Sequence, residues 1–428
     1  MPRDLPGLYW DEERNRYFPL SSRPKQQAPQ PDTITSLHRK DEKSAATSTS
    51  EVETHRRRSF IPLHANGSRL STRCFTQALR DSHDVLCYHY ASTSRVSRVK
   101  IPTLGRIQVF RSTQVNGRTW RFIGDEHGWL YSDNLIDHER RQGQHFWSAD
   151  VNLQHSSAIS SISVSGSRCV ITCVGPARIA VQDLLSPERM FLLNLHGVSD
   201  IRASDIQDRT LVLGSSKKAV YIPDIDTTNS PQYLHTRSDV FSVAQQNHLV
   251  YTGARNGTVE RFDMRMARHK SQKLFDTRFG SAARSSVLHL SLIRDVEMLL
   301  SHLNGDLVTF DMRFFSTTLP TTPVKVFEGH VNTQNANLGI TLDEEQDFLF
   351  AAGGDHRIRG WSLRTAQPLL GPNADSPHYA TNPFSVKFSH LVSALQVAKE
   401  PGEAGLSLWA ASEQDLYQFH LGQRMREG

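Results

Sequence analysis

Short runs in which apolar and polar residues alternate recur along the chain, about every 40–50 residues. Alternation of this kind turns one face of a β-strand toward a core and the other toward water. Five runs end at an aspartate in the same register, namely Asp133, Asp183, Asp224, Asp263 and Asp311. Two later runs keep the alternation but end at Ser362 and His420. Short strands at this repeat length are typical of propeller blades, so the chain is predicted to be all-β, with a seven-bladed β-propeller.

Tight turns fall between the predicted strands where a hairpin requires them. In the clearest unit, the apolar strand FLFAA is followed by a Gly-Gly-Asp turn at 353–355 and then by the strand RIRGW. Glycine adopts the positive φ that tight hairpins need, so we expect it to supply the turn conformation. Comparable turns that contain glycine lie at 124–128, 253–257 and 302–305. Their agreement with the strand pattern supports the propeller prediction.

Two segments of different composition begin the chain. Residues 1–20 contain two pairs of adjacent aromatic residues, YW and YF, around a charged turn. They predict a hairpin-like motif that docks either on its own propeller or on a partner. Residues 21–66 are rich in Ser, Thr, Pro and Gln and contain few apolar side chains, so they predict a disordered linker. The propeller itself is expected to span 81–423.

One segment has the periodicity of a helix rather than a strand. Within 67–80, Leu70, Phe75 and Leu79 belong to one apolar stripe, which predicts a short amphipathic helix. Such a helix could pack across one end of the propeller. It could instead lie in a groove of a partner protein.

The composition excludes some classes of protein. The chain has 428 residues, of which 38% are hydrophobic, and no apolar run approaches the ~20 residues that a membrane-spanning helix needs. Its N-terminus lacks the apolar core of a signal peptide. Four cysteines are few for a disulfide framework, and Cys169 and Cys173 share one face of a predicted strand as buried thiols. We therefore expect a nuclear and cytoplasmic protein that is neither secreted nor bound in a membrane.

The net charge of +5 is unevenly distributed. Residues 67–122 carry ten Lys and Arg against two acidic residues. If these residues formed one basic first blade, it could bind an acidic protein surface or nucleic acid. A solvated face without a dedicated partner is the other interpretation.

No motif in the chain indicates catalysis. It contains no nucleophile elbow, no phosphate-binding loop and no zinc-protease motif. Its twenty histidines do not have the spacing of metal ligands. We expect neither a catalytic site nor a cofactor or metal.

Two FDMR tetrapeptides, at 262–265 and 310–313, close consecutive predicted blades. They resemble the Trp-Asp-any-Arg boxes of WD-repeat substrate receptors of cullin-four ubiquitin ligases. The opening LPGLYWDEERNRYFPL is similar to that of one branch, called WD-repeat protein twenty-one or damage-binding-adaptor and cullin-four-associated factor four. Both boxes have Phe where the family has Trp, and a third candidate, WSLR at 361–364, has Ser in place of Asp.

The resemblance implies a WD-repeat propeller that acts as a non-catalytic substrate receptor. Its implied partners are the ligase adaptor of the damage-binding family, the cullin-four scaffold and an unidentified protein substrate. The candidate adaptor-binding residues are Arg265, Arg313, Phe262, Asp263, Phe310, Asp311, Leu70, Phe75 and Leu79. The planar guanidinium of arginine suits carboxylates and carbonyls on a partner, whereas each box aspartate could instead fix its own blade. A chromatin- or nucleic-acid-associated WD-repeat scaffold is the alternative.

Overall fold

The computed structural model divides into two units, 1–68 and 69–428, which are described separately. The described residues are 8–11, 16–19 and 72–425, without 134–146, 228–229, 267–269, 276–283, 315–320, 334, 336 and 404.

The first unit contains a hairpin. Strands β1 (Leu8–Asp11) and β2 (Arg16–Pro19) pair antiparallel, and their register sets the two aromatic dipeptides opposite each other. A hairpin therefore lies where the aromatic pairs predicted one. The linker predicted at 21–66 lies outside the described residues, and docking of the hairpin stays a prediction.

The second unit begins with a helix that is longer than predicted. Helix α1 (Thr72–Ala91) is followed by strand β3 (Val96–Lys100). The predicted end at residue 80 was wrong, because the polar sequence that follows Arg80 does not end the helix. On this second half, His83 and Cys87 pack inward although neither is a typical apolar stripe residue. The apolar pattern of the sequence therefore does not show that the buried face of α1 continues beyond Arg80.

The remaining strands of the second unit form antiparallel blades, each numbered from its innermost strand. Blade 1 consists of β4 (Ile107–Val115), β5 (Arg118–Asp125), β6 (Trp129–Asp133) and β7 (Ser148–Asn152). Blade 2 consists of β8 (Ile159–Ser165), β9 (Arg168–Cys173), β10 (Pro176–Asp183) and β11 (Met190–Ser199). Blade 3 consists of β12 (Ala203–Gln207), β13 (Thr210–Ser215), β14 (Lys218–Ile222) and β15 (Gln232–His235).

The second half of the ring continues this arrangement. Blade 4 consists of β16 (Val240–Gln246), β17 (Leu249–Ala254), β18 (Val259–Asp263) and β19 (Gln272–Phe275). Blade 5 consists of β20 (Val287–Ile293), β21 (Glu297–His302), β22 (Leu307–Asp311) and β23 (Lys325–Val326). Blade 6 consists of β24 (Ile340–Leu342), β25 (Phe348–Ala352) and β26 (Ile358–Ser362).

Blade 7 closes the ring with strands from both ends of the propeller sequence. It consists of β27 (Val392–Lys399), β28 (Leu406–Ser412), β29 (Asp415–His420) and β3. The register pairs Phe419 with Val96 at one end and Asp415 with Lys100 at the other. This closure pairs the outer edge of β29 with a strand from before blade 1, which ties the two ends of the ring together.

The seven-bladed propeller predicted from the sequence is confirmed. All seven alternating runs become the third strands of blades, or end directly after one, from β6 in blade 1 to β29 in blade 7. The core consists of apolar clusters between neighbouring blades, and the cluster of blades 1 and 2 contains both Cys169 and Cys173, fully buried. These thiols are core side chains, as the sequence indicated.

The turns between second and third strands differ from the prediction at one place. Gly128, Gly257 and Gly305 have positive φ angles of 80°, 76° and 97°. In the 353–355 turn, by contrast, neither glycine has a positive φ, and His356 takes that conformation at 65°. A Cβ at Gly353 would lie 2.4 Å from an oxygen of Asp355, so a larger residue there would force that carboxylate to move.

The basic residues of 67–122 do not form one blade. The segment is divided among α1, blade 7 and blade 1. Arg98 pairs with Asp415 at 2.6 Å and Arg106 with Glu126 at 2.8 Å. Arg121 is buried between two carboxylates of the core. The predicted basic first blade was therefore wrong, because the fold disperses this charge over three elements and pairs part of it with carboxylates.

Candidate functional site

The two FDMR tetrapeptides end third strands with the same local geometry. The Oδ1 atom of Asp263 accepts the backbone N–H of Arg265 at 3.0 Å. The guanidinium of Arg265 then turns back, donating from Nε to Oδ1 at 3.0 Å and from Nη2 to Oδ2 at 2.7 Å. Arg313 and Asp311 repeat these contacts at 2.9, 3.0 and 2.7 Å. Each aspartate therefore closes its turn and orients the arginine that follows.

The arginines stay accessible while they hold their carboxylates in the ionised form. The side chains of Arg265 and Arg313 are 66% and 65% exposed. Hydrogen bonds from these guanidinium groups hold the pKa of Asp263 far below its usual range and lower the pKa of Asp311 to about 2. Within the described residues, no hydrogen bond reaches the Nη1 of either arginine. The structure thus uses one edge of each guanidinium internally and leaves the other edge for solvent or a partner.

The aromatic residues of the boxes lie under the surface. Phe262 and Phe310 are each 1% exposed. Phe310 stacks on Phe275 with ring centroids 4.9 Å apart, inside the cluster between blades 4 and 5. These side chains anchor the strands that carry the boxes. Their assignment to adaptor binding stays a prediction.

A third box exists in blade 6, although its sequence lacks the aspartate. Arg364 donates from Nε and Nη2 to the two carboxylate oxygens of Asp347, at 2.9 and 2.6 Å. The backbone N–H of Arg364 is bound by the Oγ of Ser362 at 3.2 Å. Asp347 also accepts a hydrogen bond from Arg294 in blade 5. Sequence reasoning missed Asp347 because it precedes β25, and only its position at the start of the FLFAA strand could have indicated it.

Helix α1 contacts this third box. The Nε2 of His83 lies 2.7 Å from the Oγ of Ser362, and its ring stacks on Phe348 at 5.2 Å. Ser362 Oγ already accepts the N–H groups of Arg364 and Thr365, so its own hydrogen is available to Nε2 of a neutral imidazole. Burial lowers the pKa of His83, and the nearby Arg364 lowers it further, which favours the neutral form.

The three boxes and α1 share one face of the ring, which we call the box face. The residue after each third strand donates its N–H to the turn between the first two strands, as in Met264 to His248 at 2.9 Å and Met312 to Val296 at 2.8 Å. The end of α1 is held on blade 7, where Thr93 Oγ1 accepts the N–H of Gly422 after β29. The helix therefore continues the arc of boxes from blade 6 to blade 7.

Large apolar side chains are exposed on the same face. Met266 and Phe314 each follow a box arginine and are 55% and 74% exposed. On α1, Val85 and Tyr88 point outward and are 62% and 71% exposed. Exposed apolar groups that flank oriented arginines are typical of a protein interface.

The structure describes only part of the helix that was predicted to carry the apolar stripe. Phe75 and Leu79 belong to α1 and Leu70 precedes it, but their side chains lie outside the described residues. On the second half of the helix, Tyr90 packs 4.8 Å from Phe348. One face of α1 therefore covers the propeller while another faces solvent, so the two alternatives left open by the sequence are compatible.

Two other features are absent from the described residues. Among them, no group of three or more His, Cys, Asp and Glu side chains is placed to hold a metal ion. No helix of the described part is long and apolar enough to span a membrane.

Comparisons with known proteins agree with the motifs. The family described as "DDB1- and CUL4-associated factor 4 beta-propeller domain" matches residues 202–421. The DDB1- and CUL4-associated factor 4 of Bos taurus is 23% identical over 453 residues, which cover 97% of this chain and 87% of the relative. An uncharacterised WD repeat-containing protein of Caenorhabditis elegans is 31% identical, over 32% of this chain and 24% of the relative's length.

A solved structure supports the fold. The β-propeller domain of Cps50 (Swd1) from Myceliophteria thermophila superposes with a TM-score of 0.52, covering 76% of this chain and 99% of that domain. At 14% sequence identity, this likeness shows the propeller fold alone.

Proposed function

The chain belongs to the DDB1- and CUL4-associated factor 4 family, and on that premise we propose that it is a non-catalytic substrate receptor of a CUL4 ubiquitin ligase. The box face binds the ligase adaptor DDB1, and the opposite face presents a protein substrate. Other subunits transfer ubiquitin. The receptor contributes proximity, because a tethered substrate meets the transfer machinery at a raised effective concentration.

The observation that carries this proposal is the row of oriented arginines. Arg265, Arg313 and Arg364 follow the third strands of three consecutive blades, and each is held by a carboxylate of its own blade. An arginine whose side chain is already ordered loses less conformational entropy when a partner binds. The repeated geometry therefore favours contacts with carbonyl or carboxylate groups of an adaptor.

The neighbouring groups complete an interface. Met266 and Phe314 supply apolar contact beside two of the arginines, and Val85 and Tyr88 extend it along α1. Interfaces gain most of their affinity from arginine and aromatic residues that become desolvated. Among the candidate residues, Asp263, Asp311, Phe262 and Phe310 position these groups. Leu70, Phe75 and Leu79 remain proposed contacts of the helix.

The proposal extends to partners and location. The adaptor, the CUL4 scaffold and an unidentified protein substrate are the proposed partners, in the nucleus and cytoplasm. Residues 1–20 are proposed as a docking motif, joined to the propeller by the linker 21–66. The scaffold alternative that binds nucleic acid is not favoured, because the basic residues of 67–122 are dispersed and several are paired with acids.

Binding of purified adaptor to an Arg265→Ala/Arg313→Ala double variant tests the proposal. We expect the affinity to fall at least about tenfold, since both oriented cations are lost from the interface. The matched control is Arg98→Ala/Arg106→Ala, which removes two arginines with 61% exposure that also pair with carboxylates, but lie away from the boxes. Equal adaptor affinity for both folded double variants would reject the proposed interface.

A further inference from the structure

The ring encloses a central channel that is separate from the residues of the box face. Residues from the innermost strands of all seven blades line a cavity of about 390 Å³. These residues lie near the beginnings of the inner strands, such as Phe110 on β4 and Leu290 on β20. Because the inner strands end toward the box face, the cavity opens on the opposite face.

One cation on an innermost strand lacks a hydrogen-bonded partner. Arg111 follows the cavity-lining Phe110 on β4, and its Nε is buried without a hydrogen bond. Within the described residues, no hydrogen bond or ion pair reaches its guanidinium. Asp205, on the inner strand of blade 3, attracts Arg111 without forming an ion pair, and its Oδ2 accepts the backbone N–H of Gln245 at 2.8 Å. Because blade 2 lies between the inner strands of blades 1 and 3, this attraction directs Arg111 toward the centre of the ring. Burial lowers the pKa of Arg111, as expected for a cation without a counter-ion in contact.

The mouth of the channel carries a second cation on an aromatic ring. The guanidinium of Arg202 lies 4.9 Å from the ring centroid of Phe241, and both residues line the cavity. Arg202 is exposed and directly precedes the inner strand of blade 3. A cation stacked in this way keeps its charge available to an anion above the ring.

Basic turns surround Arg202 on the same face. Lys217, Arg237 and Arg255 are exposed in turns of blades 3 and 4. Asp239 joins these turns by accepting the N–H of Lys217 at 3.3 Å and pairing with Arg255 at 3.3 Å. Asp200, two residues before Arg202, adds a second carboxylate. Two carboxylates do not balance the four cations, so the sector that leads into the channel has a net positive charge.

We propose that this channel mouth binds an acidic polypeptide segment, one carboxylate of which enters to pair with Arg111 while others contact Arg202 and the basic turns around it. The assignment of this segment to the ligase substrate rests on the proposed function, but the binding itself does not. The site lies on the face opposite the boxes, so adaptor and acidic segment can be held together.

The shape of the site favours a polypeptide over nucleic acid. A cavity of about 390 Å³ admits side chains but not a nucleic-acid duplex. Its wall also presents polar side chains, including Gln108, Asn337 and Ser393, that can bond to peptide groups. An arginine on an inner strand, directed toward the centre of the ring, can be reached by one flexible acidic side chain.

Fluorescence anisotropy with a short glutamate-rich peptide tests the inference on the full chain. The same peptide with glutamine in place of glutamate is the ligand control, and inorganic phosphate and duplex DNA serve as competitors. We expect the glutamate peptide alone to bind, with affinity reduced about tenfold by Arg111→Gln and severalfold by Arg202→Gln. Arg209→Gln, which removes an equal charge from a side chain 66% exposed on the box face, should change it less than twofold.

Stability measurements separate binding from a structural role. Because no hydrogen bond or ion pair within the described residues holds Arg111, Arg111→Gln should not lower the melting temperature, and the peptide should raise it only in the wild type. Equal binding of the glutamine peptide, or unchanged affinity in both variants, would overturn the inference. DNA that binds more tightly than the peptide would overturn it in favour of nucleic acid. Adaptor binding by the same samples reports on the proposed function independently.

Discussion

Arg364 donates two hydrogen bonds to the carboxylate of Asp347, at 2.9 and 2.6 Å, although its own box has Ser362 in the aspartate position. The pair reproduces the contacts that Arg265 and Arg313 make with the aspartates of their own boxes. The orientation of the arginine is thus kept in three successive blades, while the residue that provides it changes. The change also leaves room at Ser362 for the hydrogen bond with His83 of α1.

Restoring the consensus residue by Ser362→Asp should destabilise the protein. Ser362 is 1% exposed, and a carboxylate there would lie close to Asp347, which already satisfies Arg364. We expect a loss of about 1–3 kcal/mol in the free energy of unfolding, because a buried charge would lack its own partner. Urea denaturation measures it, with Ser362→Ala as the control for loss of the hydroxyl. A gain in stability would show that the consensus box remains compatible with α1.

The box aspartates should matter for adaptor binding through orientation rather than charge. In Asp263→Asn/Asp311→Asn, each amide oxygen can still close its turn, but the paired carboxylate that orients the arginine is lost. The variant carries more positive charge, so attraction to an acidic adaptor surface alone would strengthen binding. We expect weaker binding, measured as a faster dissociation rate by surface plasmon resonance. Stronger binding would assign the role to charge alone.

The sequence predicted the repeating parts of this fold and missed contacts between distant segments. Alternation located the third strand of every blade, because that strand has one face in each neighbouring core cluster. The pattern could not predict that Arg364 binds Asp347, since Asp347 precedes one strand of blade 6 and Arg364 follows the next strand. Nor could it show that Arg111, one of many arginines in a basic segment, has no bonded partner within the described residues and is attracted by Asp205 of blade 3. The first relationship depends on how strands pair within a blade and the second on how the blades close into a ring, and neither leaves a local pattern in the sequence.

Closure by β3 predicts a sharp boundary for truncation. A chain starting at residue 69 retains α1 and β3 and should keep a cooperative thermal transition near that of the full chain. A chain starting at residue 101 lacks the strand that pairs with β29, and it exposes the edge of blade 7. We expect this shorter chain to aggregate or to melt at a clearly lower temperature, as seen by size-exclusion chromatography and calorimetry. Equal melting temperatures would mean that β3 is dispensable for closure.

Docking of α1 should weaken in acid because of His83. The pKa of His83 in the folded protein lies below its unfolded value of about 6.5, so the folded state binds fewer protons and loses stability as pH falls below that value. Arg364 and Arg294 oppose protonation, while Asp347 and Asp84 favour it less strongly than burial disfavours it. The stability of the wild type relative to His83→Gln should therefore decrease from pH 7.5 to pH 5. A constant difference would show that His83 does not titrate with folding.

Substitutions at two tyrosines of α1 distinguish the face that covers the propeller from the face that is exposed to solvent. Tyr90 packs on Phe348, so Tyr90→Ala should lower the free energy of unfolding by about 1–3 kcal/mol as apolar contact is lost. Tyr88 is 71% exposed, so Tyr88→Asp should leave stability almost unchanged and weaken adaptor binding by placing a charge in the interface. Phe75→Asp, whose side chain lies outside the described residues, is expected to behave like one of these two variants. Comparison of melting temperature and adaptor affinity assigns it to the covered or the docking face. If Tyr88→Asp binds the adaptor as well as the wild type does, the exposed face of α1 is not part of the interface, and the box arginines alone must account for adaptor binding.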